Sequence, residues 1–317
     1  MGNNPEWIRI RSSSGKYQQV QKLTGFLRLM RPANIVTAIA DILAGIIISG
    51  YLASSPYSLL PVFLLALATI GLYGGGVVFN DVFDTELDKI ERPERPIPSG
   101  LISKQSAAIL GLLLLLMAIV ATSFVHKEGL ISLPVLFVIV IALAALVYDK
   151  WGKHHSLLGP VNMGLCRGLN LLLGMSIIPA SVTQYWWLGI FPIIYIAAIT
   201  MISRDEVHGG KKKTLYAAAF FYLVVLAAIS WFAYRNGQLL YAAGFILLFA
   251  IMIFLPLSKA IKDPVANNIR QSVKAGVLAV ILMNAAWAAA FGAIGWALII
   301  LCLLPLSILF ARLFAVT

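Results

Sequence analysis

Long apolar runs recur along the whole chain, separated by short polar segments. Each run is about 20 residues long, the length that an α-helix needs to cross a bilayer. The last two runs are divided only by a turn at Gly292 and Gly295. The predicted helices are 33–52, 57–79, 104–124, 130–148, 156–179, 185–203, 214–234, 238–258, 272–290 and 294–313. The pattern predicts an all-α fold, a polytopic transmembrane bundle of nine to ten helices, in one domain spanning 23–317.

The composition excludes an ordinary soluble domain. Hydrophobic residues make up 60% of the chain and charged residues only 12%, about half of the roughly 25% that is usual in soluble domains. Residues 1–22 differ from the rest because they are polar and basic, and we expect them to form a mobile N-terminal segment. Cys166 and Cys302 both fall inside predicted helices, so no disulfide framework is expected.

Basic residues account for the formal net charge of +11, and their distribution predicts the orientation of the chain. Apart from Lys127, Arg167 and Arg235, every Lys and Arg lies in the N-terminal segment, in alternate loops or near the C-terminus. These segments fall on one side of the membrane if the helices alternate in direction. The positive-inside rule places that side in the cytoplasm. We therefore interpret the basic excess as membrane topology and expect no nucleic-acid partner.

An acidic segment after the second predicted helix is the most specific chemical signal. If the helix continues through it, Asp81, Asp84 and Asp88 share one face, because residues three, four and seven apart are neighbours on a helix. Three carboxylates this close repel one another unless a cation neutralises them. Oxygen ligands suit Mg²⁺, which commonly also binds a phosphate of the substrate. Together with the adjacent Asn80, these residues are candidate magnesium ligands.

The segment that follows supplies positive charge. Prolines interrupt 91–100 repeatedly, so this segment is predicted to be a stiff loop that presents Arg92 and Arg95. Guanidinium groups match the geometry of phosphate oxygens, which makes both arginines candidates for binding a diphosphate. The alternative is a solvated loop in which acids and arginines pair only with each other. Three acids in register beside a rigid arginine loop favour the diphosphate site.

A second charged segment follows the sixth predicted helix. Asp205 and Glu206 are candidate ligands for a second cation. Arg204 and Lys211 are candidates for contacting phosphate. The alternative is a basic membrane anchor in which one acid is paired.

An internal similarity links the two charged segments. Arg31 and Asn34 have the same Arg-x-x-Asn spacing as Arg167 and Asn170, and an acidic cluster follows each pair, so both clusters are predicted to face one cavity. A charge within an apolar helix usually faces the bundle interior. Arg167 is a candidate for holding phosphate or pairing with a carboxylate of the first cluster. Asp41 is a similar candidate for the site, or alternatively a structural partner of Arg167. Further candidates for lining the cavity mouth and binding substrate there are Asn34, Tyr148, Asp149, Lys150 and Lys153.

These motifs together resemble those of a known family. The acidic segment is similar to the N-D-x-x-D-x-x-x-D motif of the UbiA superfamily of intramembrane prenyltransferases, and 92–100 looks like the segment that follows it there. The resemblance implies a ring of nine transmembrane helices around a central cavity, capped by cytoplasmic loops. It also implies Mg²⁺ ions that bridge a prenyl diphosphate. Its expected ligands are Asn80, Asp84 and Asp88, with Asp81 alongside, and Asp205 for the second ion.

The chain departs from that family at the second motif. Most members space two aspartates four residues apart, whereas Gly209 stands four residues after Asp205. The second metal site is therefore expected to use Glu206 or to be lost. The predicted tenth helix is one more than the family has. In these features the chain is similar to the UbiA-like proteins encoded in bacterial ebo clusters.

The resemblance implies an enzyme that transfers a prenyl group from its diphosphate to a lipophilic, aromatic acceptor in a bacterial plasma membrane. Metal and arginines would stabilise the departing diphosphate, and Asp84, Asp88 and Asp205 are the expected catalytic residues. The alternative, from another functional class, is a non-catalytic protein that binds or helps export a prenylated or aromatic metabolite. The incomplete second motif favours that alternative.

Overall fold

The computed structural model describes residues 19–155, 158–204 and 211–314, and within these ranges it is helical with no β-strand. The α-helices are α1 Gln19–Met30, α2 Pro32–Ile48, α3 Leu59–Phe83, α4 Thr85–Glu91, α5 Lys104–Ser123, α6 Leu133–Lys150, α7 Leu158–Met175, α8 Pro179–Tyr185, α9 Ile190–Ser203, α10 Lys212–Arg235, α11 Leu239–Lys262, α12 Ala266–Ala290, α13 Ile294–Leu301 and α14 Leu303–Leu313. The predicted all-α transmembrane bundle is confirmed.

Most of the predicted membrane spans correspond to helices that are long and apolar enough to cross a bilayer. Within the described ranges, eight spans are long and apolar enough to cross a bilayer, and a ninth is added if the bent pair α1–α2 counts as one. Each of the ten predicted segments overlaps a helix, and 294–313 corresponds to the pair α13 and α14. Helix α8 occupies 180–184, which was predicted as a connection, and it forms one span with α9. The helix α7, which carries Arg167 and Asn170, is not among the spans.

Besides α8, the short helices α1 and α4 were not predicted. Helix α1 begins at Gln19, so the last residues of the predicted mobile segment are helical, while 1–18 lie outside the described residues. A bend of 43° separates α1 from α2 at Arg31, whose φ of 51° is left-handed. Pro32 ends α1, because proline disfavours the helical conformation in the residue before it, and it then occupies the first position of α2. The second helix, α4, follows α3 directly.

Burial distinguishes the centre of the bundle from its lipid-facing rim. The span formed by α12 is 72% buried, whereas that formed by α13 and α14 is only 17% buried. Helices α2 and α7 pack closely at Gly45 and Gly174, where an added Cβ would overlap backbone of the opposite helix. A cavity lies between α2, α3, α6 and α7.

Candidate active site

The cavity has a volume of about 170 Å³ and two polar ends joined by mainly apolar walls. The cavity mouth consists of Arg31, Asn80, Tyr148 and Asp149. The cavity floor consists of Thr69, Arg167 and Asn170. Thr69 and Asn80 lie eleven residues apart on α3, which corresponds to about 16 Å along a helix. The two ends are therefore separate polar regions.

The first acidic cluster lies at the mouth, where α3 passes into α4. Helix α3 ends at Phe83, yet the backbone N–H groups of Asp84 and Asp88 still donate to carbonyl oxygens four residues earlier, at 2.9 and 2.8 Å. Asp81 and Asp88 are buried and Asp84 is half-buried. Glu86 is exposed and accepts a hydrogen bond from Lys89, which lowers the pKa of Glu86. It does not face the other acids.

Two arginines neutralise the buried pair of acids. Arg31 Nη2 donates to Asp81 Oδ1 at 2.8 Å, and Arg95 Nη1 contacts Asp88 Oδ2 at 2.7 Å and Asp81 Oδ1 at 3.3 Å. The predicted loop is present. Of its two arginines, Arg92 is exposed and Arg95 is buried beneath the loop. Buried carboxylates need a counter-charge, which explains why one of the two arginines turns inward.

The end of α6 and the turn that follows supply the remaining contacts. Lys153 Nζ forms an ion pair with Asp84 Oδ1. Asn80 Nδ2 donates to Asp149 Oδ1 at 2.9 Å. The sequence placed Asp149 and Lys153 near the mouth but gave no partner for either. Lys150 points elsewhere, with its ammonium 4.5 Å from the centre of the Trp151 ring.

At the floor, Arg167 pairs with Asp41 and not with a carboxylate of the first cluster. Its Nε lies 2.8 Å from Asp41 Oδ2, and its Nη2 donates to Thr37 Oγ1 at 3.1 Å. Asn284, on α12, donates to Asp41 Oδ1 at 2.7 Å. Asn170 accepts from Thr69 Oγ1 at 2.8 Å and donates to the Ala38 carbonyl at 2.9 Å. Of the two carboxylate partners considered for Arg167, an acid of the first cluster and Asp41, the structure shows Asp41.

Other predicted site residues lie apart from this cavity or outside the described ranges. Asp205 and Glu206 are among the residues that the structure does not describe. Arg204 and Lys211, which flank that gap, are exposed, and Arg204 Nη2 donates to the His155 carbonyl at 2.7 Å. Asn34 is half-buried in the first turn of α2 and is not one of the described cavity-lining residues.

The donor set at the mouth suits a hard cation, because it consists of carboxylate and amide oxygens. Asp81 Oδ2 is buried and makes no hydrogen bond to the described residues, so one oxygen there is available. Nevertheless, no three His, Cys, Asp or Glu in the described ranges are arranged around a common ion position. Arg31, Arg95 and Lys153 balance the negative charge in this arrangement. A bound metal would share the oxygens with these cations.

The fold and this acid-rich mouth define an integral membrane protein of the prenyltransferase type. Residues 42–272 match the UbiA prenyltransferase family, and the chain belongs to that family. The family predicted from the acidic motif is therefore confirmed.

Individual relatives extend this result. The digeranylgeranylglyceryl phosphate synthase of Methanothrix thermoacetophila is 30% identical over 225 residues, covering 65% of this chain and 78% of that protein. The same enzyme from Methanothermobacter thermautotrophicus is 28% identical over 246 residues, covering 73% and 82%. A UbiA homologue from Archaeoglobus fulgidus, solved bound to DMAPP and Mg²⁺, has a TM-score of 0.64 at 15% identity, covering 85% of this chain and 99% of the homologue. At this level of sequence identity, the structural similarity shows a shared fold.

Proposed function

We propose that the protein catalyses Mg²⁺-dependent transfer of a prenyl group from a prenyl diphosphate to a lipophilic, aromatic acceptor within the membrane. The observation that carries this proposal is the set of three carboxylates and three cations at the mouth of an apolar cavity. A diphosphate needs both kinds of group, since a metal binds through the acids and the cations bind the remaining oxygens.

Asn80, Asp84 and Asp88 would hold the metal, with Asp81 beside them. When bound, Mg²⁺ supplies positive charge that stabilises the departing diphosphate. Arg31, Arg95 and Lys153 lie close enough to these acids to contact the same diphosphate, and the exposed Arg92 stands at the entrance. Charges fixed in advance around a leaving group are generally the largest contribution to such catalysis.

The apolar walls serve the other half of the reaction. A prenyl group that separates from its diphosphate becomes an allylic cation, which water would capture, so the reacting carbon must be kept dry. The cavity offers that environment directly beyond Asn80. Its volume of about 170 Å³ resembles that of a cavity of about 150 Å³ known to bind benzene. We therefore favour a ring-sized acceptor group, with the prenyl tail lying outside this volume.

The relatives support the reaction class. The A. fulgidus homologue binds DMAPP with Mg²⁺, and the Methanothrix relative is named for a product with two geranylgeranyl groups on glyceryl phosphate. We place the mouth on the cytoplasmic side, as the distribution of basic residues predicts. A second metal site built from Asp205 and Glu206 stays a prediction, as do phosphate contacts from Arg204 and Lys211.

Direct assay of the purified full-length protein tests the proposal. The protein in nanodiscs is incubated with Mg²⁺, prenyl diphosphates of several lengths and a panel of aromatic acceptors, and released pyrophosphate is measured. Asp84→Ala should abolish release, whereas the matched control Glu86→Ala should retain it, because Glu86 faces away from the cluster. Full activity of Asp84→Ala would overturn the metal assignment. Tight binding of prenyl diphosphate without turnover would favour a carrier of prenylated metabolites instead.

A further inference from the structure

A buried ion pair lies at the floor of the cavity, away from the diphosphate cluster. Asp41 is fully buried and Arg167 is 6% exposed. Asp41 lies ten residues beyond Arg31 on the same stretch of chain, a distance of about 15 Å along a helix. Charges inside a membrane bundle are costly and usually mark a functional site. The chemistry proposed for the mouth makes no use of this pair.

The hydrogen bonds around this pair leave donor groups of Arg167 unsatisfied. Arg167 Nε and Asp41 Oδ2 lie 2.8 Å apart as an ion pair but form no hydrogen bond to each other or to another described residue. Asp41 Oδ1 accepts from Asn284 Nδ2. Arg167 uses Nη2 for Thr37 Oγ1. Its Nη1 makes no hydrogen bond to any described residue, although Arg167 is more than nine-tenths buried and lines the cavity. The cavity floor therefore offers an N–H donor that a bound molecule can satisfy.

The charge of the floor restricts what that molecule can be. Asp41 cancels the charge of Arg167, and the floor has no other ionisable side chain among the described lining residues. The guanidinium carbon also lies 5.8 Å from the centre of the Tyr73 ring, which covers part of the cation. An anionic ligand would lose its hydration there without meeting a net positive charge, and that loss is costly. A neutral oxygen would gain the hydrogen bond without that cost.

We propose that Arg167 selects the acceptor by donating a hydrogen bond from Nη1 to a hydroxyl or carbonyl oxygen of an uncharged, ring-sized molecule. Asp41 and Asn284 are positioning residues, because Asp41 pairs with the guanidinium and cancels its charge while Asn284 holds the Asp41 carboxylate. This inference rests on the proposed prenyl transfer and names its acceptor class. It predicts that the acceptor of this chain does not place a phosphate group at the cavity floor.

Two probes of the same shape and different charge test the selection. They are 4-hydroxybenzamide, which is neutral, and 4-hydroxybenzoate, which is anionic at pH 7. Binding of each to the full-length protein in nanodiscs is measured by calorimetry. The samples contain Mg²⁺ and a prenyl diphosphate analogue whose bond between the prenyl carbon and the diphosphate cannot break. The amide should bind the wild type about tenfold more tightly than the benzoate, a difference of about 1.4 kcal/mol.

The Asp41→Asn variant should reverse this preference, because the Arg167 charge is then uncompensated and attracts the carboxylate. If that variant does not fold, the double variant Asp41→Leu with Arg167→Met removes both charges together. It should bind the prenyl diphosphate analogue as the wild type does and show no charge preference, with weaker binding of the amide. Asp263→Asn is the matched control, since Asp263 is exposed at the end of α11 and should leave the preference unchanged.

The outcomes separate this inference from the proposed function. A wild type that binds neither ring, or that prefers the benzoate, overturns the role of Arg167 even when the prenyl diphosphate analogue binds. An unchanged preference in Asp41→Asn, with normal analogue binding, overturns the charge argument. Absence of Mg²⁺-dependent analogue binding in the wild type instead contradicts the proposed function.

Discussion

The Arg95 guanidinium lies 2.7 Å from the Asp88 carboxylate, and the two side chains are 8% and 5% exposed. The same nitrogen reaches Asp81 at 3.3 Å, so one arginine connects the last turn of α3, the helix α4 and the proline-rich loop after it. A buried charge that loses its partner is destabilising by about 3–5 kcal/mol. Arg95 therefore has a structural role in addition to any contact with substrate.

Arg95→Leu should lower the free energy of unfolding by about 3–5 kcal/mol, because Asp88 and Asp81 lose a buried counter-charge. The fall is measured as a reduced Tm of the detergent-solubilised protein. Arg92→Leu is the control, since Arg92 is exposed and its replacement should leave the Tm nearly unchanged. Equal Tm values for the two variants would contradict the structural role of Arg95.

Lys153 should compete with a metal for Asp84. Its ammonium forms an ion pair with Asp84 while only 15% exposed, so Lys153→Met leaves the carboxylate without that counter-charge. We expect the affinity for Mn²⁺ in the absence of substrate to rise on the order of tenfold, since nearby charges of this kind interact with energies above 1 kcal/mol. The KM for prenyl diphosphate should rise, because the phosphate contact proposed for Lys153 is lost.

Metal affinity is measured from the free Mn²⁺ signal in electron paramagnetic resonance. Lys150→Met is the matched control, because Lys150 is exposed and lies over Trp151 instead of an acid. If Lys153→Met binds Mn²⁺ no better than Lys150→Met, the ion pair with Asp84 does not limit access of the metal.

Asp149 should determine which end of the Asn80 amide faces the metal. Its Oδ1 accepts from Asn80 Nδ2, which leaves the amide oxygen, the only atom of that group that binds a cation, for the other side. Loss of such an outer contact commonly weakens metal binding by about 10–100-fold. Asp149→Leu should show that loss as a higher Mg²⁺ requirement and weaker Mn²⁺ binding. Asp149→Asn keeps an oxygen acceptor and should lose less; equal losses in both variants would argue against orientation.

The sequence predicts the helices and the location of the mouth because those depend on local patterns. The length of the apolar runs predicted the spans, and the three- and four-residue spacing placed Asp81, Asp84 and Asp88 together. The prolines of 91–100 predicted a loop. All of this information lies within a few turns of the chain, where helical geometry alone decides which residues are neighbours.

The partners of these residues could not be predicted in the same way. Asp84 and Lys153 are 69 residues apart, and Asp41 and Asn284 are 243 residues apart. Such pairs depend on which helices pack together and at what rotation, and no local pattern contains that information. The burial of Arg95 but not Arg92 has the same origin, because it follows from the position of two carboxylates on other elements.

The crossing of α2 and α7 gives the last prediction. An added Cβ on Gly174 would overlap the Ile42 carbonyl oxygen, and one on Gly45 would overlap the Leu171 carbonyl oxygen. Gly174→Ala should therefore push the two helices apart and destabilise the protein by about 1–3 kcal/mol, as overpacking of a close contact does. Because Asp41 and Arg167 lie on these two helices, acceptor binding should weaken as well.

Gly244→Ala is the control, because this substitution should raise the stability that Gly174→Ala lowers. Gly244 lies within α11 with no atom near an added Cβ, so alanine should stabilise the helix by about 0.5–1 kcal/mol. Thermal unfolding of the two variants in the same detergent should thus show a lower Tm for Gly174→Ala and an equal or higher one for Gly244→Ala. A Gly174→Ala protein as stable as the wild type would mean that α2 and α7 do not cross at this distance, and the Arg167 site would then need a different geometry.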